Sequence, residues 1–371
     1  MGKKVKIFID DITRHWGTER AVVNLANNLA DHNYDIEIVS SYSTLGRAVF
    51  PLHSNVSIKH LGVFQLGSGK SVIESLKGLY KLRKAFIEAL DEQSAVLIGT
   101  NTVINSLLAT IKFTEKNRVS QVIGCEHLPY DAATKFLHKL RHGFYRYLDH
   151  VVLLTAKDAS KYSDAGFKNL SVIPNEAPGP KLIPSVPREN VLISVGRLME
   201  QKGFDILIDD ISPLLREFTD WRLEIYGEGE LRPLLSQMIV ERNMQNRIML
   251  CGALKDLDAR YHSSSIMLMS SRYEGLPMVL LEAQACYLPI VAYDCETGPS
   301  EIIDQGESGY LIPMGNSDEF RKRVAELMLD RDKRVRMGTA AADSVRKFGS
   351  DSVFLKWQLL LEGESGEICN K

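Results

Sequence analysis

The sequence predicts an α/β protein made of two Rossmann-like, doubly wound parallel-sheet domains that face a central cleft. Three observations carry this expectation. The chain has 371 residues, too many for one compact core and suited to two domains of ordinary size. Short apolar runs alternate with longer helical patterns from Val5 to about Ala156, the signature of a parallel sheet covered on both faces. A proline-rich stretch then breaks the alternation, which restarts at Asn190.

In order, VKIFID (Val5–Asp10) reads as a strand, and a helix follows from about Thr18 to His32, with Thr18 as its N-cap. DIEIVSS is the second strand. A helix over Val72–Leu90, the strand AVLIGT (Ala95–Thr100), a helix from about Val103 and the strand SQVIGCE (Ser120–Glu126) continue the pattern. A helix over about Lys135–Leu148 and the strand VVLLTA (Val151–Ala156) close the first half. APGPKLIPSVPREN (Ala177–Asn190) holds four prolines, which support neither ladders nor helix interiors. The expected division is therefore a domain over residues 1–178, a linker over 179–189, a domain over 190–345 and a helical tail over 346–371 that packs back on the first domain. In the second domain, NVLISVG, WRLEIYG, RIMLCG, IMLMSS, PIVAYD and GYLIP are strands, with helical patterns between them. Ligands of such sheets bind outside the carboxyl ends of the strands, so the cleft is the expected site.

The bulk numbers narrow the class. The formal net charge is −2, which does not suit a nucleic-acid partner. Residues 1–178 hold 22 Lys and Arg against 17 Asp and Glu, and the remainder 23 against 30, so the basic half is the first. Cys125, Cys251, Cys286, Cys295 and Cys369 form no close pair and read as reduced thiols of a cytosolic protein. The N-terminal KKVKIFID alternates like a strand and is too short in its apolar part for a signal sequence. No apolar run is long enough to span a bilayer.

Several segments at strand ends carry chemistry. After IMLMSS the chain reads R-Y-E-G-L-P-M-V-L-L-E. Gly275 permits a turn, and Pro277 suits the first turn of a helix, where its missing N–H costs nothing. Glu274 then lies on the loop and Glu282 about one and a half turns into the helix, whose N-terminus suits a phosphate. A carboxylate at Glu282 can accept both hydroxyls of a ribose. In SVGRLMEQKGFDILI (Ser194–Ile208), Arg197 and Lys202 lie five apart around a turn. Two such cations neutralise the charge that builds on a diphosphate leaving group. YGEGELRPLL (Tyr226–Leu235) places Gly227 and Gly229 in a tight loop before a helix.

In the first half, DDITRHWGTERAVVNLA puts Trp16 and Gly17 at a helix start. CEHLPY places Glu126 and His127 at a strand end, where a histidine can position a reacting group. KFLHKLRHGFYRYL (Lys135–Leu148) is basic and aromatic, with Lys135, Lys139, Arg141 and Arg146. It reads either as a helix packed by Phe136, Leu137, Leu140 and Phe144 with a solvated polar face, or as a membrane-surface helix. YDCETGPSEII (Tyr293–Ile303) forms a further strand-to-helix turn. Glu301 there also suits a plain helix start.

EGLPMVLLEAQA, with seven residues between its two glutamates, and G-R-L-M-E-Q-K-G together resemble the signatures of the family 4 (group 1) retaining glycosyltransferases. These have the two-domain GT-B fold and include enzymes of bacterial surface-polysaccharide assembly. The resemblance is strong from about Val191 to Ile312 and looser before residue 177. It implies a donor site in which Arg197 and Lys202 hold the diphosphate and Glu282 the ribose. Glu274 sits near the transferred sugar, and Gly227, Gly229, Gly275, Leu276 and Pro277 line the site. His127 and Glu274 are the implied catalytic residues, and Trp16, Gly17 and Glu126 the acceptor-side candidates. The family usually shows two adjacent glycines where this chain has Trp16-Gly17. YDCETGPSEII resembles members that act on UDP-hexoses or N-acetylhexosamines.

The implied reaction transfers a hexose or N-acetylhexosamine, with retention, from a UDP-sugar to a hydroxyl of a lipid-linked glycan. The donor nucleotide-sugar is a co-substrate. No DxD demands a metal, and two cations with a helix N-terminus can do its work, so no metal or other cofactor is expected. Domain closure about the linker would exclude water. The implied location is the cytoplasm, with peripheral contact on anionic lipid of the plasma membrane's inner face. A nucleotide-sugar 2-epimerase of the same architecture and a non-catalytic nucleotide-sugar-binding protein are the other two classes the residues admit.

Overall fold

A computed structural model describes residues 2–14, 16–63, 72–181, 187–254 and 256–363, apart from the side chains of Val72, Ile73 and Ser75. Cys369 and residues 182–186 of the proline-rich stretch fall outside the described residues. The chain forms two compact units, one of residues 1–176 with 351–371 and one of residues 177–350.

The first unit contains β1 (Lys4–Ile9), α1 (Gly17–Asp31), β2 (Asp35–Ser40), β3 (Ser57–His60), α2 (Val72–Glu88), β4 (Ala95–Gly99) and α3 (Thr102–Thr114). Then come β5 (Val119–Glu126), α4 (Lys135–Phe144), β6 (His150–Leu153), α5 (Ala156–Asp164) and β7 (Leu170–Val172). Its strands run parallel in the order β3-β2-β1-β4-β5-β6-β7. Successive side chains of a strand point to opposite faces. Accordingly, Val5, Ile7 and Ile9 of β1 join a core with Val22, Ala26 and Leu29 of α1, while Phe8 packs with Phe86 of α2 and Ile104 and Leu108 of α3. With both faces covered, β4 is apolar without interruption, as buried parallel strands tend to be.

The second unit contains β8 (Val191–Val195), α6 (Phe204–Glu217), β9 (Arg222–Tyr226), α7 (Arg232–Glu241), β10 (Ile248–Gly252), α8 (Asp258–Ser263), β11 (Ile266–Met269) and α9 (Met278–Ala285). It ends with β12 (Ile290–Asp294), α10 (Pro299–Ile302), β13 (Gly309–Pro313), α11 (Ser317–Leu329) and α12 (Arg331–Ser344). Its strand order is β10-β9-β8-β11-β12-β13, again all parallel. The doubly wound α/β class expected from the sequence is the class observed.

The last helix, α13 (Ser350–Glu362), returns to the first unit. Val353, Trp357, Leu360 and Leu361 are buried in the core beneath α1. Burial of side chains of this size stabilises by about 1.5–3 kcal/mol each.

The units divide at Glu176–Ala177, ahead of the linker start the prolines indicate. The described part of the proline-rich stretch is fastened to the second unit. Lys181 donates its amide to Ala285 O at 2.8 Å. The Arg188 guanidinium donates to the carbonyls of Tyr261 at 2.9 Å, Ser264 at 2.7 Å and Cys286 at 2.6 Å. Proline removes donors from a segment, and here other residues of the stretch supply them. Helix α1 begins at Gly17 rather than after Thr18. Trp16 occupies the cap position with extended backbone and makes no side-chain cap bond.

Candidate functional site

In each sheet the strand order reverses between two central strands, β1 and β4 in the first and β8 and β11 in the second. The crevice outside the carboxyl ends at such a point is where doubly wound sheets hold ligands. In the second unit the loops that leave this point are those carrying the two sequence signatures.

These loops are joined. Lys202 Nζ donates to Glu274 Oε1 at 2.6 Å, with the two side chains 16% and 7% exposed. Ser271 Oγ donates to the same oxygen at 2.6 Å. Thr297 Oγ1, from the turn after β12, donates to the Glu274 carbonyl. Backbone ties run alongside: Arg272 N to Gln201 O at 2.7 Å and Ser270 Oγ to Lys202 O at 3.1 Å. Arg272 grips Asp205 in α6 through two bonds of 3.0 and 2.6 Å. The Arg272 hydrogen bonds hold the Asp205 carboxyl below its ordinary range. Bidentate charge-assisted pairs of this kind fix geometry as well as adding energy. Arg197 lies exposed on the β8 loop.

Helix α9 begins at Met278, with Pro277 just outside it as the cap residue. Met278, Leu280, Leu281, Ala283 and Ala285 are all buried. In this apolar helix Glu282 is only 6% exposed and accepts from Tyr261 Oη at 3.1 Å. Burying a carboxylate is expensive unless it is hydrogen-bonded, so its position is not that of a solvated surface glutamate. Leu276 is buried, and the Thr297–Gly298 turn lies against Gly275 and Pro277.

Gly227 and Gly229 have a packing role. Gly227 has φ +150°, and a Cβ there would sit 1.8 Å from Gly196 O. A Cβ on Gly229 would sit 2.3 Å from Leu198 O. Amides of Leu198 and Leu231 close the contact, donating to Glu228 O and Leu198 O at 2.9 Å each. The two glycines therefore let the β9 turn seat directly on the loop that carries Arg197.

In the first unit, His127 follows β5 and lines a small cavity with Thr100, Cys125, Asn175 and Glu176. Burial pushes its imidazole down to about 4, so the ring is neutral at physiological pH. Trp16 is 41% exposed, with the Arg14 guanidinium 4.7 Å from its ring centre. Gly17, the first residue of α1, is exposed.

Glu126 does not stand with these residues. Its carboxylate is 1% exposed and pairs with Arg141 at 2.8 Å, the Arg141 side chain being 0% exposed. Thr102 Oγ1 donates to it at 2.9 Å, Asn105 Nδ2 at 3.3 Å, and Tyr145 Oη also donates. This network binds β5, α3 and α4 together and leaves Glu126 closed to a ligand. Arg141 is correspondingly lost from the basic face expected of α4, because an unpaired Glu126 in this interior would be too costly. Lys135, Lys139 and Arg146 are exposed, as is Phe136.

The turn after β12 expected at Thr297–Gly298–Pro299 does reach the glutamate loop, whereas sequence reasoning passed over Ser271 and Tyr261, whose hydroxyls orient the two glutamates, and the buried Glu19 in the first turn of α1. Hydroxyls in loops carry no spacing signal. Glu19 in a first helical turn reads as an ordinary dipole-favoured surface residue.

The two parallel-sheet units define an architecture of the GT-B type, and solved structures agree on the fold. The chain superposes on a Staphylococcus aureus TarM variant in complex with fondaparinux, alpha-GlcNAc-glycerol and UDP, with a TM-score of 0.81, 14% identity and coverage of 96% of this chain and 99% of that one. It matches the pneumococcal O-GlcNAc transferase GtfA in complex with UDP and GlcNAc with a TM-score of 0.79, 15% identity and coverage of 98% and 99%. The sequence profile described as Glycosyl transferases group 1 matches residues 181–344. The amylovoran biosynthesis glycosyltransferase AmsD of Erwinia amylovora is 30% identical over 96% of this chain and 99% of its own length. The chain belongs to the group 1 glycosyltransferases and is a glycosyltransferase.

Proposed function

We propose that this enzyme transfers a hexose or N-acetylhexosamine from a UDP-sugar to a hydroxyl of a lipid-linked glycan, with retention of anomeric configuration, in surface-polysaccharide assembly. The observation that carries the donor half is the Lys202–Glu274 pair at 2.6 Å, which joins the β8 and β11 loops at the strand-order reversal. Lys202 and Arg197 neutralise the departing diphosphate, and the N-terminus of α9 adds its partial positive charge. Glu274 holds a hydroxyl of the transferred sugar. Glu282, oriented by Tyr261, accepts from the ribose. The donor phosphate oxygen takes the proton of the attacking hydroxyl as the glycosidic bond breaks.

Support for the nucleotide comes from TarM and GtfA, whose structures hold UDP. Support for the pathway comes from AmsD and from the lipopolysaccharide core biosynthesis glycosyltransferase LpsE of Rhizobium meliloti, 26% identical over 57% of this chain. Peripheral contact with anionic lipid rests on the exposed Lys135, Lys139, Arg146 and Phe136 of the α4 region. Among the described residues no helix is long and apolar enough to cross a membrane.

The test is a thermal-shift screen of UDP, GDP and ADP on the full chain, since a ligand that binds only the native state raises Tm. UDP should shift the wild type, and Arg197→Ala and Lys202→Ala should abolish that shift. A shift from GDP or ADP alone overturns the uridine assignment. Donor turnover without any acceptor, with sugar epimers as product, overturns the transferase reading.

A further inference from the structure

Two cations of the proline-rich stretch, Lys181 and Arg188, reach the helices that carry Glu282 and its partner Tyr261. Arg188 Nη1 donates to Tyr261 O at 2.9 Å, His262 O at 3.3 Å and Ser264 O at 2.7 Å, the carbonyls at the C-terminal end of α8. Its Nη2 donates to Cys286 O at 2.6 Å and Tyr287 O at 3.3 Å, just past α9. Carbonyls at a helix C-terminus lack intrahelical partners and carry partial negative charge, so one guanidinium here serves two helix ends at once.

Lys181 acts on the same two helices. Its ammonium pairs with Asp258 in the first turn of α8, and its amide donates to Ala285 O of α9 at 2.8 Å. Glu189 donates its amide to Ser263 O at 2.8 Å. Between these ties runs the bond from Tyr261 Oη to Glu282 Oε2, 3.1 Å long. Tyr261 is 0% exposed and Glu282 6%. Helix α8 has six residues and no side-chain cap, and a helix of that length does not hold its own geometry without tertiary support. The placing of Tyr261 against Glu282 therefore depends on what fastens α8 to α9.

We infer that Arg188 and Lys181 are positioning residues of the donor site, clamping α8 to α9 so that Tyr261 aims the Glu282 carboxylate at a diol, the ribose of the nucleotide. The inference rests on the donor reading above, in which Glu282 accepts from the ribose, and adds the residues that set its aim. A carboxylate that must meet two hydroxyls at fixed spacing loses discrimination when its support loosens. Arginine suits the task because its planar fork spans acceptors on both helices, whereas a lysine ammonium at the same place is a point charge. Both helices and both cations belong to the second unit, so the clamp works within one domain.

The experiment measures Kd for UDP and for 2′,3′-dideoxy-UDP by calorimetry on the full chain. The wild type should prefer UDP by about tenfold or more, the worth of charge-assisted hydrogen bonds from the diol. Arg188→Lys keeps the charge and loses the fork, and it should reduce this preference to about threefold or less. Lys181→Met and Tyr261→Phe should lower it as well, while dideoxy-UDP binds each variant nearly as it binds the wild type. An unchanged preference in folded Arg188→Lys, or an equal loss of affinity for both nucleotides, overturns the clamp, since residues that only stabilise the fold would act so. Should Arg188→Lys fail to fold, the same two outcomes in Lys181→Met decide, because that side chain is 28% exposed and its loss is milder. A wild type that ignores UDP or shows no preference, or a Glu282→Gln variant that keeps the preference, strikes the donor reading itself, so the two failures are distinguishable.

Discussion

Lys202 and Glu274 meet at 2.6 Å, seventy-two residues apart in sequence, and each is largely withdrawn from water. The pair locks the turn after β8 to the turn after β11. Removing one member leaves the other charge poorly compensated. Lys202→Met is expected to lower thermal stability by about 2 kcal/mol, less than a fully buried pair because the lysine stays partly wet. It should also cut kcat/KM for sugar transfer by about 10²-fold or more, the scale of losing one preorganised donor at developing charge. The double variant Lys202→Met/Glu274→Gln should recover stability and not turnover. Denaturant melts and initial rates on the wild type and the two variants check this.

Gly227→Ala should destabilise strongly, by at least about 2 kcal/mol, because a Cβ would overlap Gly196 O at 1.8 Å. The displaced β8 turn should also weaken UDP binding. Gly306→Ala is the control. It has φ +82° and nothing within 4 Å, so only the left-handed backbone strain of about 1 kcal/mol is expected. A similar Tm loss in both would show that the contact with Gly196 is unimportant.

His127 carries a pH signature. Its pKa is about 4 in the folded protein against about 6.5 unfolded. Between these values the unfolded state binds more protons, so folding stability falls as pH drops from about 6.5 towards 4. His127→Gln should flatten that part of the stability curve while leaving the neutral-pH melt nearly unchanged. Urea denaturation at pH 7.5, 6 and 5 measures it.

Arg141→Met should cost about 3–5 kcal/mol, since Glu126 would remain charged and unpaired in the interior. Arg141→Met/Glu126→Gln should restore part of this loss. UDP should still raise Tm in whichever variant folds, because the network lies in the first unit. Loss of nucleotide binding in the folded double variant would reveal a role beyond packing.

The fold was legible because parallel strands buried on both faces read as apolar runs, as LLV-type stretches such as Val96, Leu97 and Ile98 do. The edge strands β3 and β7 escaped notice. Ser-Ile-Lys-His is half polar and Leu-Ser-Val only three residues long, and an edge strand needs neither full burial nor length. The charged signatures of the second unit stood out because their spacing around strand ends is constrained by chemistry. Arg141 misled because composition alone cannot show that a charge is buried. Arg141 depends on a partner, Glu126, fifteen residues away on another element.

The return of α13 to the first unit bears on how the molecule is made. Translation runs from the N-terminal side onward, and Trp357 leaves the ribosome only after the whole second unit has been synthesised. Until then the nascent first unit exposes the apolar surface that Trp357, Leu360 and Leu361 later cover. The second unit, continuous in sequence over 177–350, is complete before its neighbour despite being made later. Assembly therefore finishes where it began, and a nascent chain that has emerged as far as residue 350 holds one finished unit and one awaiting its seal.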